Sequence, residues 1–272
     1  MFPSNLMAPQ VGQRGSKLSP RLWSRLIEEG LTADGSAPGD LLVEDFISPC
    51  AAKSATGEFG DLYFYDETAA TVGPSSSEKS VVELSSGATA NKSGNLATGG
   101  NVGTLGAISD TAGADKLTIF EARVKLEDVA DGSVFIGLSE VGTAVQSKPI
   151  AGTTNHTLQA EGLIGFVINK SAPSALTFVY KANGEDAVTL LSASVVGGQY
   201  YNLGFVYDPS APASEKIKVY IDNVEQGQKI SAGNIASSSF PDGTALAANI
   251  AARASSGAKK VFIDLLAYYQ AG

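Results

Sequence analysis

The chain has 272 residues, 43% hydrophobic and only 17% charged, so a large core can be buried and wholesale disorder is excluded. Its formal net charge of -9 argues against a nucleic-acid groove, which needs a basic surface. One cysteine (Cys50) and one histidine (His156) exclude an internal disulfide framework and a Cys-based zinc cluster, and make any Ser-His-Asp triad depend on a single residue. No apolar run approaches the roughly 18 residues of a bilayer span. The first residues lack the charged region and apolar stretch of a signal peptide. A soluble protein is expected, made where cysteines need not pair.

Charge is uneven along the chain. Residues 1–27 hold Arg14, Lys17, Arg21 and Arg25 and no acid, a charge of +4 against -13 for the remainder. Within this basic segment Ser19-Pro20 reads as a helix cap followed by proline at the first helical position. Leu22, Trp23, Leu26 and Ile27 then recur at helical spacing, and Gly30 supplies a stop. The spacing predicts a helix over about 20–29, too short to stand alone in water, so its apolar stripe must dock on something. Either it packs on its own domain or it anchors the chain to a neighbouring subunit. The expected division is an arm of residues 1–40 and a β domain of residues 41–272.

From about Leu41 the period of the pattern changes to two. Thr118–Leu126 puts Thr118, Phe120, Ala122, Val124 and Leu126 on one face and the charged Glu121, Arg123 and Lys125 on the other. Gly132–Ser139 reads as its hairpin partner. Further strands are predicted at Leu41–Ile47, Asp61–Tyr65, Val81–Leu84, Leu163–Asn169, Leu176–Lys181, Ala187–Leu191 and Tyr200–Tyr207. In Lys216–Ile221, Ile217, Val219 and Ile221 point inward and Lys216, Lys218 and Tyr220 outward, before a turn at Asp222-Asn223. Residues 85–113 are rich in Gly, Ser, Ala and Asn and read as short strands in loose loops. Lys260–Tyr269 is apolar on both faces, which predicts a central strand or one covered by another subunit.

The search for chemistry finds no active site. Gly100, Gly103 and Gly106 match neither a dinucleotide fingerprint nor a P-loop. The acid pairs Glu44/Asp45, Glu127/Asp128 and Glu185/Asp186 are sequence neighbours, which on a strand point to opposite faces, and the latter two sit at strand ends. Asp128, Asp131, Asp208 and Asp222 at strand ends could ligate calcium, and turn chemistry accounts for them equally well. His156 lies in a polar loop and reads as exposed. Cys50 reads as a buried small hydrophobe. Asn91, Asn155 and Asn169 open glycosylation sequons that carry little weight without a signal peptide.

The strand series resembles a known fold. Thr118–Leu126, Ser133–Leu138, Leu163–Phe166, Tyr200–Asp208, Ile217–Asn223 and Val261–Leu265 together resemble the concanavalin A-like lectin/glucanase jelly roll, with Asn223 where that family has glycine. The Phe120–Leu126, Val134–Leu138 and Ile164–Phe166 segments look most like the variant in tailed-bacteriophage virion proteins that decorate the head. That resemblance implies an all-β jelly-roll sandwich of two antiparallel sheets, preceded by an arm with one short helix. It implies a non-enzymatic decoration or cement protein on the outer capsid surface, made in the bacterial host cytoplasm. Its partners would be the major capsid protein and itself, as a homotrimer, with no cofactor, metal, nucleic acid or membrane. Arg14, Lys17, Arg21, Leu22, Trp23, Arg25, Leu26 and Ile27 are the candidate capsid anchor. The alternatives are a lectin-like head or fibre adhesin contacting host glycans, and a hydrolase with an atypical site. The glucanase branch carries a Glu-x-Asp-x-x-Glu strand, which this sequence lacks.

Overall fold

Residues that alternate between apolar and polar can bury only one face of a strand, so such strands stack as two sheets around a shared core. The computed structural model describes residues 18–29, 39–44, 46, 51–59, 62–98, 106–128, 130, 132–141, 148–153 and 156–272. Helix α1 (Pro20–Glu29) comes first, over the residues expected. Seven strands follow: β1 (Gly39–Glu44), β2 (Gly57–Phe59), β3 (Leu62–Asp66), β4 (Thr71–Pro74), β5 (Val82–Ser85), β6 (Ser93–Thr98) and β7 (Gly106–Ala107). The middle of the chain supplies β8 (Thr118–Leu126), β9 (Gly132–Glu140), β10 (Ile150–Ala151), β11 (Thr157–Leu158), β12 (Leu163–Asn169) and β13 (Ala172–Lys181). The last part holds β14 (Val188–Ser194), β15 (Tyr200–Tyr207), β16 (Ile217–Ile221), β17 (Val224–Ile230), helix α2 (Ala232–Ile235), β18 (Ala245–Ala254) and β19 (Lys260–Ala271).

The front sheet runs β17-β16-β15-β8-β19-β5-β4, with β1 also pairing β19. The back sheet runs β14-β13-β12-β9-β18-β6-β3-β2, with β7 on β18, and β10–β11 form a separate small hairpin. Pairing is antiparallel throughout these ladders. The inner faces meet in one apolar cluster, in which Phe120, Val124 and Phe205 of the front sheet face Ile136, Phe166 and Phe178 of the back. Phe178 meets Phe205 edge-on at 5.5 Å and Phe166 at 5.0 Å, joining the two sheets through aromatic contacts. The two-faced strand at the end of the sequence is central, as its pattern requires: β19 lies between β8 and the β1/β5 edge and is buried from Val261 to Gln270.

One expectation is corrected. β9 is not the hairpin partner of β8: β8 pairs β15 and β19 in the front sheet, whereas β9 pairs β12 and β18 in the back. The intervening residues cross between the sheets as an arch. The buried Lys259 ammonium donates to its carbonyls at Asp128 (2.9 Å) and Ala130 (2.6 Å). In sequence an arch and a hairpin carry the same polar punctuation, and only sheet membership separates them. Residues 93–98 are one of the short strands expected within residues 85–113, and β6 is buried along its whole length. Beside it the Ala-rich β18, unmarked by any period, is equally buried. Tyr220 points away from the core as expected, and it is only 8% exposed because α1 covers it. Asp222 and Asn223 take positive φ angles of 50° and 62°, the two-residue hairpin turn expected between β16 and β17.

Candidate functional site

Both broad outer faces of the sandwich carry a cover made by the chain itself. On the front sheet the cover is α1. Ser19 stands at its cap position, its carbonyl accepting from Leu22 N (3.1 Å) and Trp23 N (3.2 Å). Leu18, Leu22 and Trp23 pack on Ile119, Val206, Tyr220, Leu265 and Tyr269, forming a second apolar cluster outside the core. Gly204 makes the close approach possible, since a Cβ there would lie 2.2 Å from Leu22 Cδ1.

Under the start of this helix lies Glu121, which the charged-face pattern placed in solvent and which is fully buried. Ser19 N–H donates to both carboxylate oxygens (3.1 and 3.0 Å). The Ser19 hydroxyl donates to Oε1, and the Trp23 indole N–H donates to Oε2 at 2.5 Å. A carboxylate at a helix N-terminus also meets the positive end of the helix dipole. Burial pushes the Glu121 carboxyl above its usual range, and the Ser19 and Trp23 hydrogen bonds pull it partly back.

The anchor expectation is corrected at two positions. Leu22 and Trp23 are 1% and 0% exposed against the chain's own sheet, so they are not presented to a neighbour. The stripe docks internally because the front face offers a matching apolar patch and a buried acceptor for the indole. Arg21 is exposed, its backbone N–H donating to Asn223 Oδ1 at 3.0 Å. Arg14, Lys17 and Cys50, and the side chains of Arg25, Leu26 and Ile27, lie outside the described residues.

On the back sheet the cover is the β10–β11 hairpin. Ile150 and Leu158 pack on Phe135, Leu163, Val167, Val179 and Ala251. Glu67 holds the approach to the hairpin, pairing with Lys148 (2.8 Å), Arg253 (3.1 Å) and Lys92 (3.4 Å). Arg253, only 3% exposed, also donates from Nη2 to Gly152 O at 2.9 Å. Burial raises the Glu67 carboxyl, but the hydrogen bonds and charges of Lys148, Ser93 and Arg253 outweigh it and hold the group below its usual range.

His156 fastens the far side of the hairpin, and here too the sequence reading is corrected: the ring is 1% exposed, not solvated. Nδ1 lies 2.9 Å from Ser133 Oγ and Nε2 lies 3.3 Å from Asn91 Oδ1, while Asn169 Nδ2 donates to the His156 carbonyl at 2.7 Å. Asn91 Oδ1 only accepts, so Nε2 carries the proton and Nδ1 accepts from the Ser133 hydroxyl. Ser133 Oγ in turn accepts from Lys170 N at 2.9 Å. Burial, with the charges of Lys170 and Arg253, lowers the His156 pKa from 6.5 to about 4, so the ring is neutral at physiological pH. A serine, a histidine and an asparagine thus lie in a row. Ser133 is fully buried, however, and no substrate carbonyl can reach its oxygen, so the row is a clasp. Asn91 and Asn169 stood out in the sequence only as sequons. Nothing in their spacing linked them to His156, because the three meet through strand pairing.

Beside the hairpin an open cavity of about 430 Å³ is lined by His156, Thr157, Leu158, Asn169, Ser171, Lys181, Asp186 and Ala187. Between β12 and β9, Gly165 stands opposite Gly137, and this row continues on the outer face to Asn249 and Ala97. Along this row the central back sheet carries Gly, Asn and Ala, all buried, and no carboxylate. Of the strand-end acids, Asp208 accepts from Ser210 N (2.8 Å), Asp222 from Asn202 N (2.9 Å) and Asp128 from the Lys259 ammonium (3.5 Å), whereas Asp131 lies outside the described residues. Among the described residues no group of His, Cys, Asp and Glu is arranged to hold a metal ion, and no helix is long and apolar enough to cross a membrane.

No protein-family model and no curated protein matches this sequence. Solved structures do match its fold. A protein of unknown function from Shewanella oneidensis MR-1 is 13% identical with a TM-score of 0.50, over 82% of this chain and 88% of that one. Peanut lectin is 16% identical with a TM-score of 0.50, over 85% of this chain and 97% of that one. A Bacteroides ovatus GH16 protein, solved with a glucan product, is 13% identical with a TM-score of 0.50, over 83% and 98%. At such identities the likeness is one of fold, and that fold is the concanavalin A-like lectin/glucanase jelly roll of two antiparallel sheets.

Proposed function

We propose that this chain is a non-enzymatic structural protein of a tailed-phage virion, decorating the outer head surface and binding the major capsid protein, as a homotrimer. The observation that carries the reading is that each outer sheet face is partly covered by the chain's own segment, α1 on the front and the β10–β11 hairpin on the back. The buried polar groups Glu121 and His156 are spent on holding those covers. A hydrolase of this architecture needs an open face with two placed acids, and a durable particle component benefits from covered ones. With Leu22 and Trp23 committed to the front sheet, attachment falls to the basic residues around them, Arg14, Lys17 and Arg21, acting on an acidic partner surface. Exposed ion pairs contribute roughly 0.2–1 kcal/mol each, so attachment is salt-sensitive and needs many copies or a trimer to be firm.

The test is binding of the purified full chain to phage heads lacking it. Wild-type chain is expected to co-sediment with heads at low salt, and the Arg14→Ala/Lys17→Ala variant to bind several-fold more weakly while remaining folded. Equal binding by the two would remove the arm from the attachment, and no binding to any head would remove the virion role. A glycan-contacting adhesin is the second reading, favoured by the open cavity beside the hairpin with its hydroxyl groups at Thr157 and Ser171.

A further inference from the structure

Lys181 ends β13 on the outer face of the back sheet, lines the cavity beside the hairpin and is only 8% exposed. Among the described residues its ammonium makes neither a hydrogen bond nor an ion pair. The other cations near this face are all engaged: Lys148 and Arg253 on Glu67, and Lys170 on the Thr153 carbonyl at 3.1 Å. The stem is packed away and the unpaired ammonium faces the cavity, where an anion entering it would find a positive charge not already engaged.

The remaining groups narrow the anion. Asp186 lines the same cavity, is exposed and forms no ion pair with Lys181, so the wall carries one positive and one negative charge. A dianion would be repelled by Asp186, whereas a single carboxylate meets Lys181 and leaves Asp186 to accept from a donor elsewhere on the same ligand. Thr157 is exposed, and among the described residues its hydroxyl makes no hydrogen bond. The Ser171 hydroxyl already donates to Asn169 Oδ1 at 2.9 Å and can therefore only accept. His156 offers the cavity no free nitrogen, both being held by Ser133 and Asn91. The volume of about 430 Å³ suits one small molecule.

We propose that this cavity binds a small hydroxycarboxylate, its carboxylate on Lys181 and its hydroxyl groups on Asp186, Thr157 and Ser171. The site does not depend on the virion role: it would serve a head protein or an adhesin alike. The carboxylate can arrive on a free hydroxy acid or on an acidic unit of a surface polymer, and both present the same group to Lys181.

The experiment is titration of the full chain with glucuronate, glucose, inorganic phosphate and a glucuronate-containing oligosaccharide, read by NMR shifts and thermal unfolding. Glucuronate is expected to bind in the millimolar range, to shift signals of Thr157, Ser171 and Lys181, and to raise Tm, with glucose and phosphate at least ten-fold weaker. Tighter binding of the oligosaccharide would assign the carboxylate to a polymer, and equal or weaker binding to a free acid. Lys181→Met is expected to stay folded and to lose the glucuronate response. Lys181→Arg should keep it. Glucose binding as well as glucuronate, or Lys181→Met responding like wild type, would overturn the proposal.

Discussion

The two covers solve one problem with opposite chemistry. On the front sheet a helix is held by a buried acid receiving three kinds of donor, Ser19 N–H, Ser19 hydroxyl and Trp23 indole. On the back sheet a hairpin is held by a buried neutral base between a hydroxyl and an amide, reinforced by the Glu67 ion cluster. The helix concentrates its attachment in one indole and one carboxylate, whereas the hairpin spreads it over five or more polar residues. Loss of a single group should therefore unseat the helix more completely than the hairpin.

The largest expected effect is at Trp23. Trp23→Ala removes a fully buried indole and a donor to Glu121, and should cost about 3–5 kcal/mol in urea unfolding. Trp23→Phe keeps most of the packing and should cost about 1–3 kcal/mol, the penalty for a buried acceptor short of a partner. If Trp23→Ala costs less than 1 kcal/mol, the helix is not a structural cover and the comparison fails.

Acid separates the two covers by sign. His156 has its folded pKa lowered from 6.5 to about 4, so its contribution is present above 6.5 and is lost as pH falls through that window. The loss is up to about 3 kcal/mol for a shift of this size. Glu121 has its folded pKa raised, so its contribution is greatest below its ordinary carboxylate pKa and declines as pH rises through the folded value. Acidification from pH 7 to pH 4 should therefore loosen the hairpin while favouring the helix. Amide exchange would show protection falling around Ile150–Leu158 and holding around Leu22–Trp23. Loss of protection at both together would mean that the covers are coupled.

Glu67→Gln should cost about 1–3 kcal/mol, because Arg253 stays buried with a weaker partner. Its effect should shrink as pH falls below the ordinary carboxylate range, where the lowered Glu67 pKa is itself crossed. The smallest expected effect is at Asn223→Gly, under about 1 kcal/mol: glycine accepts the φ of 62°, and only the tie to Arg21 N–H is lost. A larger cost there would make that outer tie a principal fastening of the helix.

Much of this architecture was legible in the residues. The caps and spacing of Ser19 to Ile27 marked the helix, alternation marked β8, β12 and β15, the apolar run of Lys260–Tyr269 marked a central strand, and Asp222-Asn223 marked a turn. These features depend on neighbours within a few positions, which one sequence displays directly. β18 escaped because alanine carries no period that distinguishes a buried strand from a loop. The fate of Glu121 and of His156 depended on partners 98 to 102 and 23 to 65 positions away, brought together only when strands pair and covers close. A charged residue on the outer face of a strand reads as solvated until something lies over it. Composition and periodicity determined that this chain is built of strands, and the resemblance of its strand series implied the two-sheet sandwich. Only the tertiary structure decided which outward-facing polar groups are buried, because burial is a property of what packs on a face and not of the residues that compose it.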